Sequence, residues 1–282
     1  MYARFGAAFA RGLSPKVVVP AVALGTGLVL LSPPITKVEA SADAVAPPRW
    51  PWSHRQPWES FDHASIRRGY QVYKQVCSTC HSLSGIAYRN LVDQVLTEKE
   101  AKAEAADQEI EDGPDDEGEM FDRPRKLTDA LPSPYPNDET ARAVNNGALP
   151  PDLTLMVQAR VGGEDYVYSL LTGYRAPPAG VVLGENLYWN PYFAGGQIAM
   201  TAPLSDGQVE YEDGTEATVS QMAKDVSTFL AWTAQPEHDD RKLTGWQVWA
   251  LLLLMAGPAY YYKKLKWSAL KTRQIKYLTK KK

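Results

Sequence analysis

The residues with the most specific chemistry are Cys77-Ser78-Thr79-Cys80-His81. Two cysteines separated by two residues, with a histidine straight after, read as a covalent c-type haem attachment site. Each thiol can add across one of two neighbouring vinyl groups, and the adjacent imidazole then serves as the proximal iron ligand. A Cys-x-x-Cys redox pair and half of a zinc site are the plainer readings. A structural zinc site takes about four ligands. The chain has no other cysteine, and His54, His63 and His238 lack paired spacing. Haem c is therefore the expected cofactor, and no disulfide is expected.

A sixth ligand decides what such a haem does. The candidates are His54, His63, His238, Met120, Met156, Met200 and Met222. Pro236-Glu237-His238-Asp239-Asp240 reads as an exposed linker, Met222 as core and Met156 as helix packing. Met200 stands in Gly195-Gly196-Gln197-Ile198-Ala199-Met200-Thr201-Ala202-Pro203, a loop bracketed by glycine and proline. Such a loop can bring a thioether to a haem face, although a gap-filling methionine is the alternative. Thioether opposite imidazole raises the reduction potential and fills the iron, which favours electron transfer. Arg160 and Tyr166, flanking Gly162-Gly163, are candidate partners for the haem propionates, because arginine clamps carboxylates. By pattern alone, a solvent-facing Arg160 is the simpler reading.

Several elements must position these groups. Asp62 is a suitable N-cap for a helix carrying Ile66, Tyr70, Tyr73 and Cys77 on one face. Such a helix leading into the motif is what a class I cytochrome c core has. Pro47 to Trp58 reads as an extended arm pinned by tryptophans. Asp138 can cap a short helix through Val144, Asp152 caps another ending near Arg160, and Glu164–Thr172 is a third, stopped by Gly173. Val209 to Thr215 predicts a small hairpin on Asp213-Gly214. Thr218-Val219-Ser220-Gln221 is a capping-box pattern opening a helix striped by Val219, Met222, Ala223, Val226, Phe229 and Leu230.

Charge is segregated, although the chain of 282 residues carries a net charge of only −3. Eleven carboxylates lie between Glu98 and Glu119, against Lys99 and Lys102. Residues 98–119 read as an acidic loop, either inert or a docking surface for a basic partner. Residues 1–38 hold Arg4, Arg11, Lys16 and Lys37 and no acid, followed closely by small residues at 40–42. That start, with the apolar run Val17 to Leu31, reads as a mitochondrial targeting and sorting leader over residues 1–40. A haem domain over 41–242 follows. Leu243 to Tyr262 has 20 residues without a charge, and from Lys263 on there are nine Lys or Arg and no acid. This predicts a transmembrane helix at 243–262 and a basic matrix-side tail at 263–282 in a lipid bilayer.

Taken together, these stretches resemble cytochrome c1, the haem-subunit family of the ubiquinol–cytochrome c reductase, over about residues 48–275. The resemblance is carried by Trp50–Arg55, Asp62–Gly69, Val72–Cys77, Asp112-Gly113-Pro114, Gly118–Phe121, Ala143–Leu153, Gly162–Val167, Asn190–Phe193 and Pro236–His238. It implies a mainly α, class I cytochrome c-like domain with long loops, axial ligands His81 and Met200, and Arg160 and Tyr166 beside the propionates. It implies an electron-transfer subunit rather than an enzyme by itself, lying in the mitochondrial inner membrane with its haem domain in the intermembrane space. The implied partners are cytochrome b, the Rieske iron–sulfur protein as donor, an acidic hinge subunit and soluble cytochrome c as acceptor, with no nucleic acid. A haem enzyme with an open distal site, or a haem-bearing assembly protein, would be the competing classes.

Overall fold

The structure is a computed structural model of the chain and describes residues 44–275. The expected leader at 1–40 lies outside the described residues. Helix α1 (His63–Gln75) begins where expected: the Asp62 carboxylate accepts from the Ser65 amide at 3.2 Å. It buries Ile66, Tyr70 and Tyr73 and runs straight into a tight 3-10 turn, Cys77–Thr79. A short helix α2 (Tyr88–Leu91) follows, then α3 (Glu98–Ala106).

The start of the acidic stretch is thus helical. Thr97 and Glu100 form a reciprocal capping box, and Ala101 and Ala105 are buried on one face. Opposite charges hold much of it in place: Glu98 pairs with Lys102, Glu100 with Arg67, and Glu104 with Lys74. Beyond α3, strands β1 (Glu109–Asp112) and β2 (Phe121–Pro124) pair antiparallel, with Asp112 opposite Phe121 and bonded to Arg123. The turn between them carries Asp115, Asp116, Glu117 and Glu119, which are exposed and have no cationic partner among the described residues.

Helices α4 (Asp138–Val144), α5 (Met156–Ala159) and α6 (Glu164–Thr172) follow. Strands β3 (Tyr188–Trp189) and β4 (Gln197–Ile198) then form a second short hairpin. The hairpin expected at 209–215 is not formed. Val209 and Tyr211 turn into the core, the Asp213 carboxylate accepts from the Thr215 amide at 2.9 Å, and it also pairs with Arg68. The Asp213-Gly214 signal therefore makes a local turn rather than joining strands.

Helix α7 (Val219–Ala234) closes the domain. Thr218 caps it, but the Gln221 side chain bonds Asp225 rather than completing the box. Met222, Ala223, Val226, Phe229 and Leu230 are buried as the stripe predicts. Helices α1 and α7 cross at Gly69, where an added Cβ would lie 2.1 Å from the Asp225 carbonyl oxygen. Beside the crossing, fully buried Asp225 accepts from Ser65 Oγ at 2.5 Å and pairs with Arg68 at 2.9 Å. Burying a charge is costly unless it is paired and bonded, and here it is both.

The tryptophan arm lies against α6 and borders α7 near Gln221 and Lys224. Trp52 Nε1 donates to Asp165 at 2.7 Å, and Arg55 pairs with Glu164 at 2.6 Å and with Asp165 at 2.5 Å. Burial pushes the Glu164 carboxyl up, but hydrogen bonds from His54 and Arg55 more than offset it and hold the group at about 2. His238, expected as an exposed linker residue, is buried against Phe61 and close to His54. Lys242 anchors the same corner by donating to the carbonyls of His54, Gln56 and Glu59 at 2.6–2.7 Å.

The last helix, α8 (His238–Lys271), contains the whole expected membrane span. Among the described residues no helix is long and apolar enough to cross a membrane, so the transmembrane element of the expected fold is not supported. The apolar core of the run is short, Ala250 to Ala256. Thr244, Gly245 and Gln247 dilute it on one side, and Gly257, Pro258 and Tyr260 to Tyr262 on the other. A run free of charge is not the same as a run that is apolar throughout. The fold is mainly helical with two small hairpins.

Candidate haem site

The site begins with the cysteines. Cys77 and Cys80 are free thiols at the two ends of one 3-10 turn, with the Cys80 amide bonded to the Cys77 carbonyl at 3.1 Å. Cys77 packs on the hydrophobic core, and burial pushes its thiol up to about 12. The His81 amide also bonds the Cys77 carbonyl, at 2.9 Å. The three reactive side chains therefore share one compact turn hung from α1.

The His81 ring is fixed from a distance in sequence. Its Nδ1 lies 2.8 Å from the Pro151 carbonyl oxygen. A carbonyl only accepts, so Nδ1 carries the proton and Nε2 keeps its lone pair for a metal. Burial lowers the His81 pKa, with the Pro151 bond and Asp152 pulling the other way. The net shift favours the neutral imidazole that ligation requires. The backbone carbonyl of His81 in turn accepts from the Tyr73 hydroxyl at 3.1 Å.

Asp152 clamps the two segments together. It was expected to cap a helix. Instead its carboxylate accepts from Ser82 Oγ at 2.8 Å, the Ser84 amide at 2.7 Å and the Thr154 amide at 2.9 Å. The Leu153 amide bonds the Ser82 carbonyl at 2.9 Å, and the Gly85 amide bonds Thr154 Oγ1 at 3.1 Å. Residues 82–85 are thus stitched to 151–154, which sets Pro151 against His81. In sequence, Asn145-Asn146-Gly147 and Pro150-Pro151 mark a turn without showing what the chain reverses onto.

A second group of predicted residues is linked through α6. Arg160 is exposed just after α5. Tyr166 is half-buried on the core, and burial raises its phenol while the neighbouring Arg160 guanidinium pulls it back. Met200 is half-buried two residues beyond β4. Its carbonyl accepts from the Tyr174 hydroxyl at 3.1 Å. Fully buried Asn190 pins the β3–β4 hairpin to α6 by donating to the Leu170 carbonyl at 2.7 Å. Of the other candidate ligands, Met222 is buried in the core and Met120 is exposed on the acidic hairpin. His54 and His238 are engaged in the corner beneath the arm.

The donor set fits a c-type haem. It offers two thiols at the required spacing, an imidazole in the metal-binding tautomer and, on a separate loop tied to Tyr174, a soft thioether.

Comparison with known proteins gives the same direction. The sequence model of the Cytochrome C1 family matches residues 52–270. An Arabidopsis thaliana protein named "Cytochrome c1 2, heme protein, mitochondrial" is 54% identical over 250 residues, 89% of this chain and 81% of that protein. The Saccharomyces cerevisiae protein "Cytochrome c1, heme protein, mitochondrial" is 55% identical over 229 residues, 81% and 74% of the two chains. A Candida albicans relative named "Cytochrome b-c1 complex catalytic subunit, mitochondrial" is 54% identical over 239 residues, 84% and 83% of the two chains.

Proposed function

Because the chain belongs to the Cytochrome C1 family, we propose that it is a haem-carrying electron-transfer subunit of a respiratory ubiquinol–cytochrome c reductase. The observation that carries this reading is the Cys77–His81 turn with its imidazole held by the Pro151 carbonyl at 2.8 Å. Haem c, bound there, supplies a one-electron couple. The chain's own residues supply the rest. Cys77 and Cys80 would hold the cofactor covalently, and His81 would offer it a neutral nitrogen. Met200 would offer a soft thioether, which raises the potential and favours electron transfer over oxygen or peroxide chemistry. Arg160 and Tyr166 offer a cation and a hydroxyl suited to the propionates. The subunit relays electrons and performs no bond chemistry of its own.

The Rieske iron–sulfur protein is the proposed donor and soluble cytochrome c the proposed acceptor, with cytochrome b and an acidic hinge subunit as neighbours in the complex. The names of the curated relatives and the basic, acid-free start of the chain support a mitochondrial location. The acidic hairpin supports the choice of a basic acceptor. Its turn places Asp115, Asp116, Glu117 and Glu119 in solvent without cationic partners among the described residues, and such a field accelerates encounter with a basic protein.

This reading is tested by the rate of electron exchange with soluble cytochrome c. The bimolecular rate constant should fall with added salt. Replacing those four carboxylates by their amides should lower it by about tenfold at low salt and flatten the salt dependence. A rate that ignores both salt and the four replacements would remove the hairpin from the docking surface.

A further inference from the structure

Among the described residues the Met200 carbonyl has one hydrogen-bond partner. No main-chain N–H among the described residues reaches it, and Met200 lies just outside the β3–β4 pairing. The bond at 3.1 Å from the Tyr174 hydroxyl is what holds this point of the loop. Tyr174 is itself placed by rigid neighbours. It follows Gly173, which ends α6 and leaves no room for a side chain: a Cβ there would lie 2.6 Å from the Tyr192 ring and 2.5 Å from the Ser169 carbonyl oxygen. The hairpin on the other side is fixed by Asn190, whose amide bonds the Gly196 carbonyl at 2.8 Å and whose side chain reaches α6. Gly196 has a positive φ of 73°, and a Cβ there would lie 2.4 Å from the Trp189 ring. Loop and helix end are thus each anchored, and the Tyr174 hydroxyl joins them at Met200.

We propose that Tyr174 is a positioning residue for the iron ligand: by donating to the Met200 carbonyl it holds the loop in the one arrangement that presents the thioether. The inference rests on Met200 being the sixth ligand. A neutral hydrogen bond of this kind contributes on the order of 1 kcal/mol. Its loss should raise the fraction of molecules with an open sixth position by about fivefold. The phenol touches the ligand's backbone and not its sulfur, so the effect is on the ligation equilibrium and leaves the identity of the ligand unchanged.

The test compares carbon monoxide affinity of the reduced, haem-loaded full chain in four forms: unchanged, Tyr174→Phe, p-aminophenylalanine at position 174, and Met200→Leu. The weak red absorption band of thioether-ligated ferric haem is recorded alongside. Tyr174→Phe should bind carbon monoxide about fivefold more tightly while keeping that band. The amino analogue, which restores a donor at the same place, should return the affinity to the unchanged value. Wild-type affinity in Tyr174→Phe, with Met200→Leu strongly shifted, would overturn the role of Tyr174 and leave the ligand intact. An unshifted Met200→Leu would overturn both. If Tyr174→Phe fails to retain haem, the amino analogue decides: haem retention with wild-type affinity supports the proposal, and failure to restore it counts against it.

Discussion

Met200→Leu should lower the haem midpoint potential by on the order of 100–200 mV, well within the ~0.8 V that axial ligands command. For a one-electron couple, about 59 mV is a tenfold change in equilibrium constant. Such a drop therefore changes the driving force for passing an electron on by roughly two to three orders of magnitude. The direction follows from the ligand. A soft thioether stabilises ferrous iron, and leucine leaves the position to water or to nothing. Leucine matches methionine closely in volume, so a half-buried Met200 can be exchanged with little repacking. A redox titration of the purified variant measures the shift. An unchanged potential would move the sixth ligand elsewhere, and Met156, half-buried against the hydrophobic core, would be the next candidate.

The second large effect lies away from the iron. Gly69→Ala should destabilise the domain by roughly 3 kcal/mol or more. The new Cβ would stand 2.1 Å from the Asp225 carbonyl oxygen and 2.6 Å from Phe229 Cβ. Both are fixed parts of α7, so the two helices must separate. Alanine is the better helix former by about 1 kcal/mol, and the clash outweighs that gain. Separation would also loosen the Ser65–Asp225 bond and the contacts of Phe229 with Tyr70 and Tyr73, on the helix that carries the haem turn. Denaturant unfolding of the haem-loaded protein reads the change. A loss smaller than about 0.5 kcal/mol would mean that the crossing is more pliable than its geometry implies.

The parts of this account that were legible in sequence are the local ones. Asp62, Thr218 and Gly173 act where capping rules place them, because a cap needs only its own helix. The Cys77–His81 motif is equally local. What sequence hid depends on distant partners. Asp152 reads as a helix cap but clamps Ser82 and Ser84, about 70 residues away. His238 sits in a charged stretch that suggests exposure, yet the arm residue His54 and Phe61 bury it. Tyr174 carries no motif at all, and only the return of the chain at Met200 gives it a role.

The acidic stretch shows the same division. Its charge density suggested solvated loop throughout, yet Thr97 and Glu100 form a capping box and Ala101 and Ala105 face the core. Charge alone concealed a helix whose period was present at the alanines. At 243–262 the error ran the other way. Freedom from charge and the basic tail suggested a membrane span, while glycine, proline, glutamine and tyrosine make the run too weakly apolar to qualify among the described residues.

With Cys77 and Cys80 holding the haem, and His81 and Met200 offered to the iron as proposed, the cofactor would pass electrons without binding a substrate. Carbon monoxide added to the reduced, unmodified protein tests it most directly, because this ligand takes any vacant position on ferrous haem. The absorption spectrum should stay that of a low-spin, six-coordinate haem at carbon monoxide concentrations that fully convert Met200→Leu. Ready formation of the carbon monoxide complex by the native protein would contradict the account and return the site to the class of haem enzymes with an open face.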